Sequence, residues 1–197
     1  MNFPSFASKL VSSIATFQGE FNFINTPEKM PTKIKHYEMD EEWKEHCQDN
    51  PDTFWYTGSK CDIKQYVKPE YHSIFQKYLD LRDKILTFGG TEVCTPYQFF
   101  DGSVDIIKEY GQFWYNDNIE VLNGRVNGCH DNSYDYWMEN KEKGVFYCNG
   151  YYLSDGMWRS HSWCIDKNNK IIETTRLGEA YYGVVIPHEF TKEFYEL

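Results

Sequence analysis

The C-terminal part of the sequence contains four strand-like runs in close succession, each rich in the aromatic and β-branched residues that favour sheets. The runs cover residues 145–153, 158–165, 170–175 and 181–186. Turn-forming residues separate them at Asp155-Gly156, at 166–169 and at Leu177-Gly178. This pattern predicts neighbouring antiparallel strands, and it leaves little room for a helical fold in this part of the chain.

Helical patterns dominate the sequence before these strands. Apolar residues recur at helical spacing over 4–17 and over 69–87, and the second run stops at Gly89-Gly90. Residues 105–110 predict a shorter helix, and residues 133–141 predict one directly before the strands. Helices followed by a run of strands are typical of the α+β class. We therefore predict N-terminal helices and loops, plus a helix packed on an antiparallel sheet.

A chain of 197 residues is long enough for one domain with a sizeable core. We predict a single domain, 1–197, in which residues 1–117 form a helical and irregular N-terminal elaboration and residues 118–197 form the core. Loops with one short helix are expected over 25–68. Residues 119–126 are strand-like apart from a turn signal at Asn123-Gly124.

Charge and cysteine content narrow the function classes. The formal net charge is −10, without clustered Lys and Arg, which disfavours nucleic acid and anionic membranes as partners. No segment approaches the roughly 20 apolar residues of a membrane-spanning helix, and the N-terminus lacks the apolar run of a secretory signal. Six cysteines without a CxxC pair favour free thiols in a reducing compartment. We expect a cytoplasmic protein.

Three blocks carry the chemistry: Gly128-Cys129 at the start of a predicted helix, Ser160-His161-Ser162-Trp163 within a strand, and Glu173-Thr174 within the next. A sulfur nucleophile, an imidazole that takes its proton and an acid that orients the imidazole are what thiol catalysis needs. A cysteine at a helix N-terminus is favoured as thiolate by unpaired N–H groups and the helix dipole. The alternative for Cys129 is an inert packed thiol.

Other polar and aromatic residues are candidates for the same site. Asn127 and Asn123 are candidate side-chain donors to an oxyanion. Trp163 shares a strand face with His161, where it would exclude water and hold the ring, or simply belong to the core. The aromatic hairpin that carries Trp158 and Arg159 either lines a substrate cleft or is an ordinary hairpin with a buried Trp. Arg159 is a candidate for binding a substrate carboxylate or forming a surface ion pair.

Two assignments remain open on the residues alone. The acid that orients His161 is Glu173 or Asp166, and Glu173 is favoured because Asp166 belongs to a turn that it would cap. His130 is expected to point away from the nucleophile, and the remaining histidines are expected at the surface. Zinc is the rival chemistry at the cysteines and histidines, but their spacing fits no zinc module. We therefore predict no metal and no cofactor.

The three blocks resemble the Cys, His-x-Trp and acid-x-Thr blocks of transglutaminase-like proteins, a branch of the papain-like cysteine peptidase superfamily. The resemblance covers residues 120–186, with Glu173 where that family usually has Asp. It implies Cys129 as nucleophile, His161 as base and Glu173 as orienting acid. It also implies a cysteine hydrolase or acyltransferase that acts on a peptide, protein or small substrate through an amide, isopeptide or thioester bond. The alternative is a catalytically silent papain-like scaffold that serves as a binding or inhibitory module.

Overall fold

The computed structural model of the chain describes residues 9–14, 72–94, 103–115 and 119–196. Residues 9–14 are helical, and the longer helices are α1 (His72–Leu86), α2 (Ser103–Tyr110), α3 (Cys129–Asn140) and α4 (His188–Tyr195), with a 3₁₀ turn at Lys141–Lys143. The strands are β1 (Glu92–Val93), β2 (Gln112–Tyr115), β3 (Ile119–Val121), β4 (Val145–Ser154), β5 (Met157–Asp166), β6 (Ile171–Glu173) and β7 (Ala180–Ile186). The chain is α+β, as the sequence predicts.

The chain divides into two compact units. The first contains residues 1–26, 109–152 and 161–197, and the second contains 27–108 and 153–160. The candidate nucleophile, base and acid of the sequence analysis all belong to the first unit. The single domain, and the boundary between 117 and 118, stay predictions.

The sheet of the first unit has the strand order β2-β7-β4-β5-β6-β3. Strand β2 pairs antiparallel with β7, and β5 pairs antiparallel with β6. The edge strand β3 runs parallel to β6, with Val121 opposite Glu173. Because β3 leads into the chain that reaches α3, this parallel edge brings the start of α3 toward the end of β6.

A two-residue turn joins β4 to β5. Asp155 and Gly156 both have positive φ angles, 54° and 75°. Two such residues in a row are what a type I′ hairpin turn requires, because its twist matches that of the flanking strands. In the second unit, the end of this hairpin pairs with β1 through Val93 and Trp158.

The core of the first unit's sheet is built from rings. Trp163 and Tyr181 are fully buried, and Trp114 meets Trp163 edge to face with ring centroids 5.4 Å apart. Fully burying one large apolar side chain contributes roughly 1.5–3 kcal/mol to folding. The high aromatic content therefore supports a dense core around the strands that carry the candidate site residues.

The four predicted strands and the helices at 69–87, 105–110 and 133–141 are confirmed, with ends shifted by a few residues. The predicted strand at 119–126 is shorter, because it ends at Val121 before the Asn123-Gly124 turn signal. Strands β1 and β2 and helix α4 were not predicted. Of the predicted helix at 4–17, residues 9–14 are described, and the prediction for 25–68 lies outside the described residues.

Within the described ranges, no helix is long and apolar enough to cross a membrane.

Candidate active site

Cys129 is the first residue of α3, and Gly128 is its N-cap. No side-chain hydrogen bond caps this helix, so the first-turn N–H groups are not satisfied by a capping residue. The first helical backbone bond runs from the Asn132 N–H to the Gly128 carbonyl oxygen, at 2.8 Å. The half-buried thiol of Cys129 therefore lies at the positive end of the helix, where a negative charge is stabilised.

His161 lies on β5 and is almost completely buried. Its Nε2 is 2.9 Å from Oε2 of Glu173, which leaves Nδ1 as the ring nitrogen available to the Cys129 thiol. Tyr152 stacks on the imidazole with ring centroids 4.1 Å apart, and Trp163 lies beyond it at 6.4 Å. These flanking rings hold the imidazole in one orientation.

Glu173 is fully buried at the end of β6, and its carboxylate is saturated with donors. Oε1 accepts the backbone N–H groups of Thr175 (2.8 Å) and Arg176 (3.1 Å), and Oε2 accepts the Tyr181 hydroxyl (2.9 Å) in addition to His161. The Gly178 N–H donates to the Tyr181 oxygen, so the Tyr181 proton is directed at Glu173. This donor set stabilises a buried carboxylate.

The choice between the two acids is decided by these contacts. Asp166 accepts the backbone N–H groups of Asn168 (2.7 Å) and Lys170 (2.9 Å), so it caps its own turn. Glu173, in contrast, is the carboxylate bonded to His161. Glu173 is the acid that orients the ring.

The protonation equilibria of Cys129 and His161 are shifted in opposite directions. Burial raises the pKa of the Cys129 thiol, but hydrogen bonds from His130 and His161 and their charges outweigh burial and lower this pKa to about 5. Burial lowers the pKa of His161, but hydrogen bonds to Cys129 and Glu173 and their negative charges outweigh burial and raise this pKa to about 9. A thiolate–imidazolium pair is therefore the favoured state between these values.

His130 is part of this cluster, and the prediction that it points elsewhere is wrong. Its interaction with Cys129 contributes to the lowered pKa of that thiol, and its Nδ1 is 2.7 Å from Oγ of Ser162. The reason is that α3 begins at Cys129, which puts residue 130 in the first turn, facing β5. The sequence signal for this contact was the position of the two residues, since His130 directly follows Cys129 and Ser162 directly follows His161.

The second and third residues after His130 hold the helix to the strands that carry the base and the acid. Ser133 Oγ is hydrogen-bonded to the Ser162 carbonyl oxygen at 2.9 Å and to Thr174 Oγ1 at 2.7 Å, so one hydroxyl contacts both elements. Asn132 Nδ2 donates to Thr175 Oγ1 at 2.9 Å. The two threonines that follow Glu173 therefore anchor α3, which fixes the distance between nucleophile and acid.

The loop that leads into α3 lies directly against the residues after Glu173. The Leu122 N–H donates to the Glu173 carbonyl oxygen at 2.7 Å, and the Gly124 N–H donates to the Thr174 carbonyl oxygen at 3.0 Å. A Cβ added at Gly124 would lie 2.2 Å from that Thr174 oxygen and 2.5 Å from Asn132 Nδ2. Glycine at this position is what lets the two backbones approach so closely.

Gly124→Ala is therefore expected to lower the free energy of unfolding by about 1–3 kcal/mol, because the backbone oxygen cannot move aside. Gly128→Ala is the matched control, since its Cβ would meet the Arg125 side chain at 3.0 Å and its backbone oxygen only at 3.3 Å, which is expected to cost less than about 1 kcal/mol. Urea unfolding followed by circular dichroism measures both. Equal losses of unfolding free energy in the two variants would contradict the close approach of the Gly124 and Thr174 backbones.

The other predicted site residues lie as follows. Asn123 and Asn127 are exposed in the loop before α3, where Asn127 has a left-handed φ of 58°. Their role as oxyanion donors stays a prediction. Trp163 and Trp158 are both 0% exposed. Burial favours the core alternative for Trp158, and a role of either residue in substrate binding stays a prediction. Trp163 packs in the sheet core beside His161.

Trp158 and Arg159 belong to the second unit. Trp158 Nε1 donates to the Gly89 carbonyl oxygen at 2.9 Å, so it is a core residue. The Arg159 guanidinium donates to the Ser154 carbonyl oxygen at 2.6 Å and so closes its own hairpin, which gives no support to substrate binding. His188 was predicted at the surface and is half-buried, since it accepts the Trp137 indole N–H at 2.9 Å and stacks on Phe146.

The described cysteines, Cys94, Cys129, Cys148 and Cys164, are free thiols, and burial raises the pKa of every one except Cys129 above its ordinary value. Among the described residues, no group of three or more His, Cys, Asp or Glu side chains is placed to hold a metal ion. Comparison with protein-family models, curated proteins and solved structures finds no match to the chain.

Proposed function

We propose that the protein is a cysteine hydrolase or acyltransferase with a papain-like core, in which Cys129, His161 and Glu173 form the catalytic triad. The observation that carries the proposal is the buried His161–Glu173 pair, with Nε2 and Oε2 2.9 Å apart, together with the half-buried Cys129 thiol, whose pKa the charge and hydrogen bonding of His161 help to lower. A nucleophile at a helix N-terminus, with base and acid on neighbouring strands, is also the arrangement that the transglutaminase-like resemblance implies.

The arrangement supports acyl transfer in two stages. The Cys129 thiolate attacks the carbonyl carbon, a C–S bond forms, and the carbonyl π electrons move to oxygen. As the tetrahedral intermediate collapses, the bond to the leaving nitrogen or sulfur breaks, and the His161 imidazolium gives its Nδ1 proton to the leaving group. The products of this stage are a thioester on Cys129 and a neutral His161.

The second stage returns the enzyme to its starting state. Water or an amine gives its proton to His161 as it attacks the thioester carbonyl, and the C–S bond then breaks with its electron pair returning to sulfur. Water yields hydrolysis, and an amine yields acyl transfer. Glu173 keeps the His161 ring in place throughout and stabilises its positive charge.

Backbone N–H groups at the start of α3 are suited to stabilise the oxyanion, since no side chain caps that end of the helix. The expected substrates are peptides, proteins or small molecules with an amide, isopeptide or thioester bond. A reducing compartment such as the cytoplasm suits the proposal, because it keeps the Cys129 thiol free.

The pH dependence of thiol alkylation tests the proposal. Cys129 is expected to react with iodoacetamide as the pH rises through about 5, because its lowered pKa makes it a thiolate above that value. The imidazolium of His161 persists up to about pH 9, so turnover is expected to follow a bell-shaped profile between these limits. Peptide mapping assigns the alkylation rate to each cysteine.

Two controls sharpen this experiment. Cys148 and Cys164 are internal references, since burial raises the pKa of both thiols. His161→Ala is expected to move the alkylation midpoint of Cys129 upward, whereas His188→Ala, which removes the imidazole bonded to Trp137, is not. If Cys129 is alkylated slowly, and equally in the wild type and in His161→Ala, the result would contradict the proposed enzyme. It would favour the catalytically silent scaffold that binds a partner.

A further inference from the structure

Tyr181 of β7 is hydrogen-bonded to the acid of the proposed triad but takes no part in the two stages of acyl transfer. We propose that Tyr181 is a positioning residue, whose hydroxyl shares Oε2 of Glu173 with His161 and so limits how strongly the carboxylate holds the imidazole proton. This inference rests on the proposed function and adds a residue that sets how readily His161 releases its proton.

The hydrogen bonds of the Tyr181 hydroxyl have defined directions. The backbone N–H of Gly178 donates to the Tyr181 oxygen at 2.9 Å, and the hydroxyl donates its own proton to Glu173 Oε2, also at 2.9 Å. A backbone N–H can only donate and a carboxylate can only accept, so neither bond can be reversed. Burial and the charge of Glu173 raise the pKa of Tyr181 well above its ordinary value, so the phenol stays protonated. Tyr181 is therefore a permanent donor to Oε2.

Packing in the sheet core holds the Tyr181 ring in place. The residue is 0% exposed, and its ring centroid lies 5.1 Å from that of Trp163 and 6.2 Å from that of His161. Its backbone is paired with Trp114 of β2. A side chain enclosed on all sides in a close-packed core has little freedom to rotate. The hydroxyl therefore keeps its position at Oε2.

The two carboxylate oxygens of Glu173 have separate sets of donors. Oε1 accepts the backbone N–H groups of Thr175 and Arg176, and Oε2 accepts the side chains of His161 and Tyr181. Since the backbone pair does not involve Tyr181, it would keep the carboxylate in place without the phenol. Loss of the Tyr181 hydroxyl is therefore expected to change the strength of the bond to His161 more than the position of the carboxylate.

Sharing one oxygen between two donors matters for the first stage of acyl transfer. The Tyr181 hydrogen bond stabilises part of the negative charge on Glu173, so less of that charge is available to stabilise the His161 imidazolium. The imidazolium has to give its proton to the leaving group, and a proton that is held too strongly slows that transfer. Tyr181 thus keeps His161 acidic enough for this step, while Glu173 still orients the ring.

Titratable side chains from four elements surround the His161 imidazole. Glu173 of β6 bonds its Nε2, Tyr152 of β4 stacks on its face, and Tyr181 of β7 lies at its edge beside Oε2. The negative charge of Cys129, from α3, acts on its pKa together with that of Glu173. Tyr181 is the group to change, because it can lose its hydroxyl without removing a member of the triad.

The test follows the titration of His161 in the full chain by NMR with ¹⁵N-labelled histidine, and the signal is assigned by its absence in His161→Ala. Tyr181→Phe removes only the hydroxyl and is expected to raise the titration midpoint of His161 by about half to one pH unit, because Oε2 then bonds His161 alone. The alkaline limit of the turnover profile is expected to rise with this midpoint, and kcat is expected to fall about threefold.

Tyr182→Phe is the matched control. Tyr182 is the next residue of β7 and is 1% exposed, and alternation along the strand places its side chain on the other face of the sheet. The same loss of a buried hydroxyl there is expected to leave the His161 midpoint and kcat unchanged. Circular dichroism verifies that both variants fold.

A second variant carries the test if Tyr181→Phe does not fold. Replacing Tyr181 by 3-fluorotyrosine keeps the shape of the ring and makes the phenol a stronger donor. The His161 midpoint is then expected to fall below that of the wild type, because more of the Glu173 charge is stabilised by the phenol. A midpoint at or above the wild-type value would overturn the inference.

The outcomes separate this inference from the proposed function. If the His161 midpoint in Tyr181→Phe is unchanged or lower, or shifts no more than in Tyr182→Phe, the sharing of Oε2 is overturned and the triad stands. If Cys129 is alkylated only near the ordinary thiol pKa of about 8.5, and equally in the wild type and in His161→Ala, the proposed function fails. This inference then fails as well, because His161 would have no nucleophile to serve.

Discussion

Replacing Cys129 with alanine is expected to reduce kcat on the order of 10⁶-fold, the scale of loss when a serine hydrolase loses its nucleophile. The expectation follows from the acyl-enzyme pathway, since no other group at the site can form the covalent intermediate. Initial rates on a panel of activated esters, thioesters and anilides measure it. Mass spectrometry of the denatured protein detects the acyl group on Cys129 in the wild type and its absence in the variant.

Cys94→Ala is the matched control, because Cys94 is a partly exposed free thiol of the second unit. It is expected to leave kcat unchanged. Since Cys129 is half-buried at the start of α3, its alanine variant is expected to keep the circular dichroism spectrum of the wild type. Retained turnover in Cys129→Ala, or equal losses in both variants, would contradict the proposed nucleophile.

Glu173→Gln is expected to reduce kcat by about 10⁴-fold, the loss seen when a triad carboxylate becomes an amide. The shape is kept, but an amide carries no charge to stabilise the His161 imidazolium. One of its two polar atoms is also a donor, and it would face either the backbone N–H groups of Thr175 and Arg176 or the protons of His161 and Tyr181. That mismatch is expected to lower the free energy of unfolding by about 1–3 kcal/mol.

Asp166→Asn is the control for this prediction, because Asp166 was the rival acid. It caps the turn between β5 and β6, so its loss is expected to cost about 1 kcal/mol and to leave kcat unchanged. Thermal unfolding and initial rates on one preparation measure both effects. A larger loss of kcat in Asp166→Asn than in Glu173→Gln would show that Asp166, and not Glu173, orients His161.

Strands β4 to β7 could be predicted from the sequence because their signals are local. Their residues are dense in aromatic and β-branched types, and the turn at Asp155-Gly156 needs two residues that tolerate positive φ. Strand β2 could not be predicted in this way. Its four residues, 112–115, are held by pairing with β7 far along the chain, and short strands of this kind depend on a partner.

Residue chemistry also named the three candidate catalytic residues. A cysteine after a glycine at a helix start, a histidine between serines and a single carboxylate in an apolar strand are unusual in their surroundings, which is what the proposed function would require. What residue types could not indicate was burial. Trp158 fitted a cleft or the core equally well, and its complete burial places it in the core.

The sequence by itself determined the α+β class, the four C-terminal strands and the order of the candidate nucleophile, base and acid along the chain, because propensity, turn chemistry and residue type act over a few residues. Only the tertiary structure decided that β3 runs parallel beside β6, that Glu173 rather than Asp166 meets His161, and that His130 contacts Ser162. These features depend on strand pairing and side-chain direction across distant segments. Backbone and side-chain hydrogen bonds between those segments supply the specificity that local sequence does not contain.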